Sequence, residues 1–119
     1  MTDCNRALDL PDGQYIFGPL DGGEPFLRRD GVGLMPDGQA LASGVQGMDH
    51  MVRTFRELTG CPVWEAVRMA SLTPARIAGF DRELGSIAPG KRADLLVLDA
   101  DLRVRQVFVD GRSSDSTCC

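Results

Sequence analysis

Residues 85–111 alternate short apolar runs with turn signals, and no other segment constrains the fold of this chain as strongly. The Pro89-Gly90 pair joins a fixed φ to a residue free to take positive φ, as a type II turn requires. The charged Lys91-Arg92 pair is expected to keep that turn in water. Apolar runs near 95–98 and 102–109 flank an acidic turn, so the pattern predicts two paired strands. On pattern alone, these strands would equally fit the edge of any small sheet.

The end of this segment carries a second turn signal, Asp110-Gly111. The residues beyond 112 are small and polar, and we expect 113–119 to form a frayed tail.

The front of the chain, from 11 to 44, is rich in glycine and proline. Its short apolar pieces stand between turn pairs of the Asp-Gly type, which is typical of small strands in hairpins. The pieces are 15–17, 26–27 and 32–35, and the pairs are Asp12-Gly13, Asp30-Gly31 and Asp37-Gly38.

The middle of the chain has helical periodicity. One apolar stripe precedes Gly60, which stands where a C-terminal cap belongs. A second helix is predicted from Pro62 to about Leu72, and Thr73-Pro74 predicts the cap and first position of a short third helix. The stripe consists of Met48, Met51, Val52, Phe55 and Leu58. No strand–helix–strand alternation wraps these helices onto a sheet, so we expect the stripe to need another surface.

Composition excludes several classes of function. The chain has 119 residues, 43% of them apolar, which allows one modest core. Its net charge of −4, with acids and bases interspersed, predicts neither a nucleic-acid partner nor a membrane anchor. No run of 18 apolar residues and no secretory signal pattern is present, so a cytoplasmic location is expected.

Few residues offer chemistry by themselves. The single histidine, His50, is predicted to be exposed and inert, because a metal ligand needs partners. Cys61 is interpreted as a small buried residue, with thiol catalysis as a distant alternative. Asp99 with Asp101 fits a turn better than an acid/base pair. Four cysteines without CxxC spacing, two of them adjacent at 118–119, favour neither structural zinc nor disulfides.

Several blocks in fixed order carry a family resemblance. They are MTDC at 1–4, LPDGQYIFG at 10–18, DGQALASG at 37–44, MDHMVR at 48–53, CPVWEAVRMASLTPARIAGF at 61–80 and the 85–111 segment. Together they resemble the C-terminal portion of N-acetylglucosamine-6-phosphate deacetylases. The block APGKRADLLVLD alone would indicate only the wider amidohydrolase superfamily.

The resemblance implies an α/β fold, incomplete as an isolated chain. Residues 1–84 would be the end of a metal-dependent-hydrolase (β/α) barrel, with its last helices and a substrate-side hairpin loop. Residues 85–112 would be the C-terminal strands of a small β-sandwich, with 113–119 as the tail.

The resemblance also implies site residues. Asp3 would be the catalytic carboxylate that takes a proton from a metal-bound water and delivers one to the departing amine. Leu41, Ala42 and Ser43 would belong to the loop that contacts the sugar. The family pattern usually has glycine and serine in the opposite order to Ser43-Gly44. A divalent metal, zinc or similar, is implied for the family, but its ligands would lie upstream and none is expected in this chain.

The predicted function is therefore that of the C-terminal part of a hydrolase that converts N-acetylglucosamine 6-phosphate to glucosamine 6-phosphate and acetate. The chain alone is expected to be inactive, and the family implies a homo-oligomer, a dimer. Two alternatives stay open. One is a fragment of another amidohydrolase, of the cyclic amidase or deaminase type. The other is a non-enzymatic binding or assembly module, which exposed apolar helix stripes would favour.

Overall fold

A computed structural model describes residues 2–114 of the chain, and over this range it contains six strands and three helices. The strands form two three-stranded antiparallel sheets, one before the helices in sequence and one after them. The chain divides into two compact units, of which the first ends at Met51 and the second begins at Val52. No helix of the described range is long and apolar enough to cross a membrane.

The first sheet has the order β1-β2-β3, with β1 at Gly13–Phe17, β2 at Glu24–Arg29 and β3 at Val32–Leu34. Asp30 and Gly31 have φ values of 51° and 74°, the two positive values of a type I′ turn. This turn suits a tight hairpin because its twist matches that of the flanking strands. The predicted front hairpins are confirmed.

The core of the first unit is centred on Phe26, which is only 1% exposed. Its ring centroid lies 5.9 Å from that of Tyr15, which faces it across the β1–β2 pair. The other buried members of the cluster are Ala7, Ala42 and Val45. All three come from irregular segments outside the sheet, so the core holds those segments against it.

The first helix, α1 at Met48–Thr59, ends as predicted. Gly60 has a φ of 68°, and its N–H donates to the carbonyl of Arg56 at 2.8 Å. This left-handed residue closes the last turn at little steric cost because it has no Cβ. The apolar stripe is not covered: no residue of α1 is buried, and Leu58 is 82% exposed.

The next two helices are α2 at Val63–Ala70 and α3 at Leu72–Ile77. The second is shorter than predicted, and the third starts before Thr73, so the predicted cap was wrong. Ser71, with φ −127°, separates the helices: its N–H donates to Arg68 at 3.4 Å and its carbonyl accepts from Ala75 at 3.1 Å. Pro74 lies within the first turn of α3, where its missing N–H has no intrahelical partner.

The second sheet has the order β4-β5-β6, with β4 at Leu95–Leu98, β5 at Val104–Val109 and β6 at Arg112–Ser114. The predicted hairpin and the turn at Asp110-Gly111 are confirmed. The expected tail is wrong for Ser113 and Ser114, because they pair with Phe108 and Val107. The remaining tail residues, 115–119, lie outside the described range.

The turn at Pro89-Gly90 precedes this sheet and has the predicted geometry. Gly90 has a φ of 85°, and the N–H of Lys91 donates to Ala88 at 3.2 Å. Lys91 is partly buried and Arg92 is exposed. The Lys91 ammonium also makes hydrogen bonds within the protein. It donates to the Ser86 hydroxyl at 2.7 Å and to the carbonyl of Leu84 at 3.2 Å. The ammonium thus ties the turn to the segment before it.

Candidate active site

Two segments far apart in sequence lie side by side in the first unit. The N–H of Gly44 donates to the carbonyl of Asp3 at 2.9 Å, and the N–H of Asn5 donates to the carbonyl of Gly44 at 2.9 Å. Cys4 and Gly44 therefore form a parallel bridge. The structure thus brings the predicted catalytic aspartate next to the predicted sugar-binding loop at 41–43.

Side chains reinforce this pairing. The Ser43 hydroxyl donates to the carbonyl of Asp3, and the Asn5 amide donates to the carbonyl of Ala42 at 3.2 Å. The Asn5 side-chain oxygen also accepts from the N–H of Ala7 at 2.9 Å, an Asx turn. The thiol of Cys4 donates to the carbonyl of Gln46. Asn5 was not selected from the sequence. The tendency of asparagine to form such a turn could have been predicted from the sequence. Its hydrogen bond to Ala42, 37 positions away, could not.

Close packing explains the glycine at position 44 of the loop. A Cβ placed on Gly44 would lie 2.1 Å from the carbonyl oxygen of Thr2, so only glycine fits at 44. Gly33 is similarly tight, since its Cβ would lie 2.7 Å from the carbonyl oxygen of Ala42. The glycine at 44 therefore stands where the two backbones meet.

The two central residues have strained backbones. Asp3 has a φ of 49° and Ser43 a φ of 64°, both in the left-handed region. For a residue with a Cβ, this region costs roughly 1–2 kcal/mol, although aspartate tolerates it better than most. Such conformations persist where surrounding contacts hold them, and they cluster at functional sites.

The Asp3 side chain is exposed. Within residues 2–114 its carboxylate takes part in no hydrogen bond or ion pair, while its main chain is held by the loop. The carboxylate is thus available to a ligand or to a proton.

The three loop residues differ in what they present. Leu41 is 75% exposed and is held by a backbone bridge to Leu34. Ala42 is buried, and its N–H donates to the carbonyl of Gly33 at 2.8 Å. Ser43 uses its hydroxyl proton on Asp3. Of the three side chains, that of Leu41 is the most open to a ligand.

His50 lies in the first turn of α1 and is partly buried, so the prediction of an exposed side chain is wrong. It also has an interaction partner, which a residue facing only water would lack. Cys61 is partly buried between α1 and α2 in sequence.

No group of three or more histidine, cysteine, aspartate or glutamate side chains in residues 2–114 could hold a metal ion. A catalytic zinc site needs three protein ligands and an open position. The described residues by themselves therefore do not fit a resident metal centre.

Other carboxylates have structural roles. Asp99 accepts from the N–H groups of Arg103 at 2.8 Å and Asp101 at 3.0 Å. These bonds, the Arg103 one above all, and the nearby Arg105 guanidinium lower the pKa of Asp99. The interpretation of Asp99 as a turn residue is confirmed.

Asp94 has the same kind of role at the other end of the hairpin. Its pKa is lowered, chiefly by the hydrogen bond from Arg92 and then by that from the N–H of Asp110, at 2.9 Å. The carboxylate thereby ties the β5–β6 turn to the residues that precede β4.

Comparison with known proteins identifies the family to which this chain belongs. Residues 24–113 match the model of the amidohydrolase family, which is most of the chain, and the chain belongs to that family.

Within that family, the chain is similar to hexosamine-phosphate deacetylases. The chain is 41% identical over 112 residues to an N-acetylgalactosamine-6-phosphate deacetylase of Escherichia coli O157:H7, covering 94% of this chain and 28% of that protein. The crystal structure of N-acetylglucosamine-6-phosphate deacetylase from Pasteurella multocida matches with a TM-score of 0.81 at 30% identity, covering 95% and 28%. The deacetylase of Mycobacterium smegmatis, solved as an aspartate-to-alanine variant with N-acetyl-D-glucosamine-6-phosphate, matches with a TM-score of 0.78 at 30% identity, covering 95% and 29%.

The predicted resemblance to these deacetylases is confirmed. The chain spans less than two thirds of the length of the curated relatives it matches first, and little more than a quarter of most.

Proposed function

We propose that this chain supplies the catalytic aspartate and part of the sugar-binding loop of an N-acetylhexosamine-6-phosphate deacetylase. Such an enzyme hydrolyses the acetamide of a sugar phosphate to acetate and a free amine. The observation that carries the proposal is the pairing of Asp3 with the 41–44 loop, 40 residues away in sequence. It joins a carboxylate that has no hydrogen-bond or ion-pair partner among residues 2–114 to a loop that presents an exposed apolar side chain.

The role assigned to Asp3 is proton transfer. A carboxylate can accept a proton at Oδ as water attacks the amide carbon and return it to the leaving nitrogen, so one group serves as base and then as acid. The Asp3 side chain is exposed, so its carboxylate is within reach of water. The hydrogen-bonded main chain fixes the position of the Cα from which the side chain extends. The metal dependence expected of the family would require ligands from outside the described residues.

Two sugars are candidate substrates. N-acetylglucosamine 6-phosphate is the predicted one, and the solved relatives carry its name. N-acetylgalactosamine 6-phosphate is the second, favoured by the higher identity of 41% to the Escherichia coli relative. The two differ in the configuration of one hydroxyl, so the acetamide chemistry is the same.

The wider architecture follows from the same proposal. Residues 1–84 would complete a barrel domain and 85–112 a β-sandwich, as the resemblance implies. The cytoplasmic location and the dimeric state remain predictions.

A chimera tests the proposal. This chain replaces the matching 112-residue segment of the Escherichia coli O157:H7 deacetylase, and acetate release is measured with both sugar phosphates. We expect turnover of at least one of them. A folded chimera that releases no acetate from either would refute the proposal.

Two further arms separate the alternatives. Turnover of a cyclic amide or an aminated base instead of a sugar phosphate would point to another amidohydrolase. The chain by itself, dialysed against zinc, is expected to retain no stoichiometric metal and to release no acetate. Turnover by the chain alone would show that it needs no residues from elsewhere.

A further inference from the structure

We propose that Ser43 is a positioning residue, whose hydroxyl holds the main chain of Asp3 and affects turnover through Asp3 rather than through contact with the sugar. The inference rests on the proposed catalytic role of Asp3 and goes beyond it, because it assigns a different task to a residue of the sugar loop.

The first step is the environment of the Asp3 carbonyl oxygen. It accepts two hydrogen bonds, one from the Ser43 hydroxyl and one from the N–H of Gly44 at 2.9 Å. Both donors come from the same loop. The position of that loop therefore sets the position of the Asp3 peptide.

The second step is the backbone of Asp3. Its φ of 49° lies in a region that residues with a Cβ leave unless contacts hold them there. If the main chain relaxed to negative φ, the Cα–Cβ bond would turn and the carboxylate would move with it. The hydrogen bond from Ser43 opposes that rotation.

The third step is the restricted conformation of the loop, which limits how far it can move. Ser43 is itself left-handed, with φ 64°, and Gly44 packs against the carbonyl oxygen of Thr2 without room for a Cβ. The Asn5 side chain adds a bond to the carbonyl of Ala42 at 3.2 Å. A change at Ser43 is thus transmitted to Asp3 rather than absorbed by the loop.

The fourth step concerns the hydroxyl proton. A serine has one O–H donor, and that of Ser43 is committed to Asp3, so it cannot donate to a sugar at the same time. Leu41, at 75% exposure, is the loop side chain that faces outward. The two side chains of the loop therefore have different roles: Leu41 contacts the ligand, and Ser43 holds Asp3 in position.

The kinetic test uses the active chimera. Ser43→Ala is expected to lower kcat by about tenfold or more and to leave KM within about twofold, since misplacing a catalytic group acts on the transition state. Leu41→Ala, in contrast, is expected to raise KM. Ser113→Ala, an exposed serine in β6, serves as the matched control and should change neither constant. A raised KM with unchanged kcat in Ser43→Ala, or no change in either constant, would overturn the inference.

A second readout does not depend on turnover. In the isotope-labelled chain, Ser43→Ala should move the Asp3 carbonyl ¹³C resonance and speed exchange of the Gly44 amide by about tenfold, because both report the shared hydrogen bonds. Unchanged values would refute the positioning role even if the chimera is active. An unsubstituted chimera without activity would instead refute the proposed function, so the two failures are distinguishable.

Discussion

Single residues in this chain owe their conformation to distant neighbours. Asp3 and Ser43 both have positive φ, although neither is a glycine. They are joined by the hydrogen bond that the Ser43 hydroxyl donates to the carbonyl oxygen of Asp3. Gly44 is a glycine for a reason of space rather than of φ, because the backbone of Thr2 occupies the position of a Cβ. At this scale, local preference yields to contact.

Asp3→Asn in the chimera is expected to reduce kcat by about 10²–10⁴-fold, the usual contribution of a general acid–base group. Folding should be spared, since asparagine tolerates left-handed φ and the main-chain bonds do not involve the carboxylate. The measurement is acetate release together with the melting temperature. Asp9→Asn is the control, because Asp9 is also exposed and left-handed, with φ 55°. An unchanged rate in Asp3→Asn would remove the catalytic assignment.

Gly44→Ala should destabilise the first unit by about 1–3 kcal/mol, the usual cost of overpacking, because the new Cβ meets a backbone oxygen that cannot rotate away. Gly13→Ala is the matched control: its Cβ would lie 3.6 Å from Tyr15, an ordinary contact. Urea denaturation of both variants measures the difference. Equal midpoints would show that the 2–5 and 42–44 segments are not packed as described.

At the scale of elements, the β4–β5 hairpin depends on carboxylates as well as on its strands. Asp99 organises the turn through Arg103 and Asp101, and its carboxylate lies 2.7 Å from the Arg105 guanidinium. Asp94 joins the next turn to the start of the sheet. The hydrogen bonds to both carboxylates favour the ionised form and lower the pKa of each.

The pKa of Asp94 and that of Asp99 are lower in the folded chain than the ordinary value of 3.8. A depressed pKa stabilises the fold above the unfolded value, and this contribution is lost as pH falls through the folded pKa. The free energy of unfolding should therefore decrease as the pH drops below about 4. Asp99→Asn should make this loss of stability smaller, because it removes one of the two carboxylates.

Urea midpoints at pH 7 and pH 3 measure this effect. Asp101→Asn is the control, because it lies in the same turn and no hydrogen bond to its carboxylate is present in the described residues. If Asp99→Asn loses as much stability on acidification as the unsubstituted chain, the role of Asp99 is wrong.

At the scale of the whole molecule, burial is uneven. In the first unit, a cluster around Phe26 is closed to solvent. In the described part of the second unit, the only buried apolar residues are Ala66 and Leu102. Four of the five residues of the α1 stripe are exposed and the fifth, Val52, is partly buried, as expected for a surface that needs another partner.

We expect the chain by itself to self-associate through this stripe. Phe55→Ser with Leu58→Lys should raise the dissociation constant at least about tenfold, because each large apolar side chain contributes roughly 1.5–3 kcal/mol when fully buried. Sedimentation velocity over a range of concentrations measures the change. Ile77→Lys, at an 83% exposed position on α3, is the control. A monomer at every concentration, or equal dissociation constants for all variants, would contradict the expectation.

What the sequence determined by itself is local. The Asp30-Gly31, Pro89-Gly90 and Asp110-Gly111 turns and the end of α1 at Gly60 were predictable, because their φ requirements act within a few residues. The catalytic and sugar-loop assignments were not readable from spacing; they came from the resemblance to deacetylases and stay proposals.

Only the tertiary structure decided the contacts between distant segments. It paired Asp3 with Ser43, placed Ser113 and Ser114 in a strand, partly buried His50 and gave the Lys91 ammonium its carbonyl partners. Each outcome depends on which segments the chain path brings together. Short-range propensity carries no information about that path, because a hydrogen bond across 40 residues depends on everything folded between its two ends.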